Sequence, residues 1–137
     1  MTNTITEKLA LVAPEFFVRD VDASVAFYVD VLGFTLIRAD VNGEGKRTFA
    51  VLARGAAEFM LAHEAFLGSA TRESLPYPRA AGVDIRLMVD DVDAVYTSVV
   101  AAGGKIVLPV KDQEYGLRDF IVADPDGFRI RFAQRIV

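Results

Sequence analysis

The chain has 137 residues, a formal charge of −4, 53% hydrophobic and 25% charged residues, and no cysteine. That length fits one structural domain, the missing thiols exclude a disulfide framework or thiolate metal site, and the acidic balance argues against a nucleic-acid partner. No signal peptide and no run near the roughly 20 apolar residues that span a bilayer is visible, so a cytoplasmic protein without a membrane partner is expected.

Residues 1–12 read as a short mixed arm. An apolar strand over 14–18 ends at Asp20 and Asp22, either of which suits a helix N-cap because a short carboxylate accepts from free helix N–H groups. Val21, Val25, Tyr28, Val29 and Leu32 then recur at helical spacing, and Gly33 supplies a left-handed stop. Three β-rich runs follow, over 35–41, 47–53 and 57–63, with turns at Gly43–Gly45 and Arg54-Gly55. Residues 64–81, with Pro76 and Pro78, form a linker. A second strand over 83–89 leads to Asp91 and Asp93, a second helical pattern, Gly103-Gly104, and strands over 105–109, 117–123 and 128–134. Asp124-Pro-Asp-Gly127 fits a type I turn, with proline second and glycine fourth.

The two halves are copies. Displaced by 71 residues, the segment from Val18 to Gly33 matches that from Val89 to Gly104 at seven of sixteen positions, where chance gives about one. The same displacement pairs Phe49 with Phe120, Val51 with Val122 and Ala62 with Ala133 without a gap. The predicted fold class is α+β: two tandem βαβββ modules, residues 13–63 and 82–137, forming one structural domain whose curved mixed sheets enclose a concave cavity. Each module is too small to close a robust core alone, so a homodimer is expected, the sheets sharing surfaces within a chain or across the dimer.

Pro14-Glu-Phe-Phe-Val-Arg-Asp-Val-Asp-Ala-Ser, with Phe27-Tyr28 and Leu32-Gly33-Phe34, resembles the opening module of the vicinal-oxygen-chelate superfamily of glyoxalase, bleomycin-resistance and dioxygenase proteins. Tyr115-Gly-Leu-Arg-Asp-Phe120 followed by Asp124-Pro-Asp-Gly127 resembles its closing hairpin, and the resemblance runs from Ala13 to Gln134. It implies four metal-ligand positions, one on the first and last strand of each module: here Ala13, Met60, Asp84 and Arg131. Alanine has no donor, a thioether is too soft for Mg²⁺, Mn²⁺ or Fe²⁺, and a guanidinium offers no lone pair. No metal, cofactor or catalytic residue is therefore expected. The single histidine, His63, falls on the opposite strand face from Met60 and reads as structural.

Strand alternation puts Glu15, Phe17, Arg86 and Met88 in phase with Ala13 and Asp84, and Glu58, Ala62, Arg129 and Ala133 in phase with Met60 and Arg131. The family pattern implies that Thr48, Ala50, Asp119 and Ile121 also face the cavity, with Phe49, Val51, Phe120 and Val122 under the helices. The candidate ligand-binding set is Phe17, Thr48, Met60, Asp84, Met88, Tyr115, Asp119 and Arg131. Asp84 and Arg131 either pair as a clip in place of the metal or meet the ligand directly. The reading this supports is a metal-free protein that binds and sequesters an antibiotic-like or aromatic small molecule. The alternative is a metal-dependent lyase or oxygenase related to glyoxalase I or the dioxygenases.

Overall fold

A computed structural model describes residues 7–79 and 82–137; positions 1–6 of the expected arm and 80–81 of the expected linker lie outside them. In chain order the elements are β1 (Glu15–Val18), α1 (Val21–Ala26) running into a π turn (Phe27–Val31), β2 (Thr35–Val41), β3 (Arg47–Arg54), β4 (Ala57–His63), a 3-10 turn (Glu64–Leu67), α2 (Ser69–Glu73), β5 (Asp84–Met88), α3 (Val92–Ala101), β6 (Lys105–Asp112), β7 (Leu117–Ala123) and β8 (Arg129–Arg135). The strands form two four-stranded sheets, ordered β1-β4-β3-β2 and β5-β8-β7-β6. The pairs β1/β4 and β5/β8 are parallel and the rest antiparallel. The chain is α+β, built of two βαβββ modules.

Asp20 and Asp91 are the N-caps, accepting from the backbone of Ala23 at 3.1 Å and Ala94 at 3.0 Å. Strand β6 runs through Pro109, which an edge strand tolerates because its outer N–H side needs no partner. The linker carries the 3-10 turn and α2, pinned where buried Glu64 accepts from Arg72 at 2.9 Å and from Arg79.

The gapless displacement of 71 is corrected in the second and third strands. Phe49 faces Ala62, whereas Asp119 faces Ala133, so β3 maps onto β7 at a displacement of 70. The bulged residues Ile37 and Val107 and the positive-φ glycines Gly33 and Gly103 obey the same 70. Two single-residue insertions account for this. The first module takes up an extra residue in its π turn, where the Leu32 N–H reaches back to the Phe27 carbonyl at 3.2 Å. The second takes one up in the turn between β7 and β8, which restores 71 for β4 and β8.

As a result Ala50 and Leu52, not Phe49 and Val51, pack under the first helix with Phe16, Val18, Phe59 and Leu61. In the second module Phe120 and Val122 do so, as expected, together with Ile130 and Phe132. The modules join through these helix-bearing sides. The Phe16 ring stacks on Phe128 at 4.6 Å, the Tyr28 hydroxyl donates to Asp124 Oδ2 at 2.9 Å, and Arg19 donates to Asp126 Oδ1 from its backbone and side chain at 3.1 and 3.0 Å. Both concave sheet faces are thereby turned away from the seam.

Candidate functional site

On the concave face of the second sheet, β5, β7, β8 and the turn between β6 and β7 bring six polar side chains together. Asp84 and Arg131 are in phase on adjacent parallel strands; Arg131 Nη2 reaches Asp84 Oδ2 at 3.0 Å and Arg129 Nε reaches Oδ1 at 2.6 Å. The other edge of the Arg131 guanidinium donates to Asp119 Oδ2 at 2.9 Å and to the Tyr115 oxygen at 3.1 Å. Tyr115 itself donates to Asp119 Oδ2 at 2.6 Å and Gln113 to Oδ1 at 2.8 Å. Asp119 is 1% exposed, Arg131 14% and Asp84 27%, so the network grades from buried to open along the face.

Burial opposes the charge on both carboxylates, yet their donors win. Asp84 is held below the usual carboxylate range by Arg129 and Arg131, and Asp119 by Tyr115, Gln113 and Arg131. The bond to Asp119 raises the Tyr115 hydroxyl, which therefore stays protonated at neutral pH. This is a saturated, preorganised polar floor. Arg86 stands beside it as the register neighbour of Arg131, with its guanidinium 5.8 Å from the Tyr115 ring centroid. Met88, on the same strand phase, is 48% exposed.

The candidate residues therefore divide. Asp84, Tyr115, Asp119 and Arg131 form one cluster with Met88 on the same face. Phe17 and Met60 share the concave face of the other sheet, with Phe49, Val51 and Ala62. Thr48 is a correction: it lies off that face, its hydroxyl directed at the Asp40 carbonyl, beside the N-terminus of α1. The one-residue change in displacement inverts it along with Ala50. Gln113 escaped the sequence reading, because a turn residue carries no periodic signal. Arg129, the register partner of Asp84, joins the cluster on the face that strand alternation gives it. His63 Nδ1 accepts from Ala65 N at 3.1 Å and so caps the 3-10 turn. A cavity of about 550 Å³ opens at the module seam, where Phe34, Arg54, Leu87 and Phe132 meet the edge of β5.

The four positions that would hold a divalent cation do not fit one. Ala13 and Met60 bring no hard donor, Arg131 brings a positive charge, and Asp84 already spends both oxygens on arginines. Among the described residues no three acidic or histidine side chains converge as a metal cluster would.

The glyoxalase/bleomycin resistance protein/dioxygenase superfamily model matches residues 8–132. The chain belongs to this superfamily. It is 35% identical over 124 residues to a lactoylglutathione lyase of Haemophilus influenzae, covering 85% of this chain and 86% of that one. It is 32% identical over 134 residues to a bleomycin resistance protein of Geobacillus stearothermophilus, covering 90% and 95%. The crystal structure of TioX from Micromonospora sp. ML1 superposes with a TM-score of 0.73 at 26% identity, over 93% of this chain and 99% of that one. The superfamily thus places the chain between enzymes and binding proteins, and its own residues must separate the two. No helix among the described residues is long and apolar enough to cross a membrane.

Proposed function

We propose that this superfamily member is a metal-independent, cytoplasmic small-molecule binding protein that sequesters an antibiotic-like or aromatic compound as a homodimer. The observation that carries this reading is the Asp84–Arg129–Arg131–Asp119 network standing where a metal would be held. A metal-dependent lyase polarises a substrate oxygen with its cation. Here the central group is a guanidinium whose hydrogen bonds are already committed to carboxylates and Tyr115. Binding requires only a shaped face and a few fixed polar anchors, and Tyr115, Met88, Arg86 and the Arg131 floor supply these. Similarity to the bleomycin resistance proteins supports sequestration as the mode of action.

The test is a thermal-shift and calorimetric screen against glycopeptide antibiotics, aromatic metabolites and divalent metals, since a native-state ligand raises the melting temperature. A compound stabilising the protein at stoichiometric concentration, with binding weakened by Tyr115→Ala, is the expected result. Turnover of a hemithioacetal or a catechol should stay at background with or without Zn²⁺, Ni²⁺, Mn²⁺ or Fe²⁺. Robust metal-dependent turnover abolished by Asp84→Ala would sink this reading in favour of the lyase.

A further inference from the structure

The polar floor of the second concave face spends its hydrogen-bonding capacity on itself, and Arg86 stands outside it. Arg129 and Arg131 are committed to Asp84 and Asp119, and Gln113 and Tyr115 to Asp119. Arg86 is exposed and has no carboxylate partner among the described residues. It is nevertheless the register neighbour of Arg131, and like charges set opposite one another on a sheet are destabilising. Lys105, Lys111 and Arg135 are the register partners of Ala123, Asp119 and Leu117, so they share this face, and none of them has a carboxylate there either. The strands of this face thus present six cations against the carboxylates of Asp84 and Asp119, in a chain whose formal charge is −4. The excess positive charge is concentrated on one surface and lacks a counterion within the chain.

We infer that Arg86 is the anchor for an acidic group, and that the compound taken by this face is an aromatic acid, a ring system bearing a delocalised oxyanion. The inference rests on the small-molecule reading above and names its ligand class. A guanidinium presents a planar fork of donors that matches such an anion with two parallel hydrogen bonds. Arg131 cannot offer that fork, because Asp84 and Asp119 already hold it; Arg86 can. Its guanidinium lies 5.8 Å from the Tyr115 ring centroid, and Tyr115 and Met88 are 56% and 48% exposed. A ring attached to the bound acid therefore meets aromatic and thioether surface beside the anchor. Lys105, Lys111 and Arg135 supply the field that draws an anion in and turns a cation away. The equivalent face of the first sheet carries Glu15 and Glu58, which repel the same group, so the acid is directed to one sheet of the two.

Fluorescence titration with two probes tests it: anilinonaphthalene sulfonate, and phenylnaphthylamine, which keeps the rings and lacks the acid. Circular dichroism checks the fold of each variant. The sulfonate should bind the wild-type chain at least about tenfold more tightly than the neutral probe, and the preference should shrink as salt rises. Arg86→Gln should bring the two affinities to within about twofold of each other, while Arg86→Lys, which keeps the charge and loses the fork, should retain part of the preference. Arg86→Glu should make the neutral probe the better one. Tyr115→Ala should weaken both. Equal affinities in the wild type, or a preference untouched by Arg86→Gln and Arg86→Glu, overturn the acid anchor; the binding face stands as long as Tyr115→Ala still weakens both probes. A wild-type chain that binds neither probe, or binding indifferent to the Arg86 and Tyr115 changes alike, overturns the anchor and the binding face together.

Discussion

Arg131 serves two carboxylates, and this decides what its removal costs. As a simple cross-strand clip with Asp84, the pair would suffer most when either partner alone is lost, and deleting both would be milder. The geometry changes that expectation, because Asp119, at 1% exposure, leans on the same guanidinium. Arg131→Met should therefore destabilise by about 2–4 kcal/mol, since it strips a buried carboxylate of its cation. Asp84→Ala leaves Arg131 still paired with Asp119 and should cost about 1 kcal/mol, the pair being partly open to water. Adding Asp119→Asn to Arg131→Met should recover part of the loss in urea denaturation; no recovery would mean that Asp119 does not depend on Arg131. The Asp84–Arg131 juxtaposition was legible in the sequence because charges in phase on apolar, alternating strands must find each other. Arg131's second partner was not legible, because Asp119 sits two residues off register on the adjacent strand β7, and alternation alone does not choose between two carboxylates on one face.

At the scale of elements, strand existence and most boundaries followed from period-2 alternation and glycine turns. The faces of β2 and β3 did not. A helix hides an extra residue in a π turn without changing its apolar stripe, and a hairpin turn hides one without disturbing its strands. Two such insertions cancel at β4 and β8, so the sequence match looks continuous while the strands between are inverted. The placement of Thr48 and Ala50 in the cavity, which the family pattern implied alongside Asp119 and Ile121, fails for that reason. The turn that holds the second insertion is tightly seated. A Cβ on Gly127 would lie 2.4 Å from Pro78 Cβ and 3.0 Å from its Cα, at a φ of +88°. Gly127→Ala should thus cost about 2–4 kcal/mol, combining backbone strain with overpacking. Gly55→Ala, also at positive φ but facing open space, should cost only about 1–2 kcal/mol. Equal melting temperatures for the two variants would count against the seating of the turn on the linker.

For the whole molecule, the seam between modules has a pH dependence of its own. Asp124 is buried beneath Tyr28, and desolvation pushes it up to about 6 despite the donors of Phe128, Tyr28 and Asp126. A carboxyl raised in the folded state contributes stability that is full below its unfolded value near 3.8 and is lost as pH rises through about 6. Asp84, Asp119 and Glu64 are shifted the other way, so their contribution is present above the ordinary carboxylate range and lost in acid. Asp124→Asn should accordingly gain about 1–3 kcal/mol relative to wild type between pH 5 and pH 8. Parallel stability curves for the two proteins across that interval would show that Asp124 titrates normally.

The seam also sets the angle between the two outward faces. Tyr28, Phe16, Phe128, Arg19 and Asp126 fix that angle without lying on either face. A substitution at any of them therefore acts at a distance, tilting the Asp84–Arg131 floor against the first sheet while every residue of both faces stays in place.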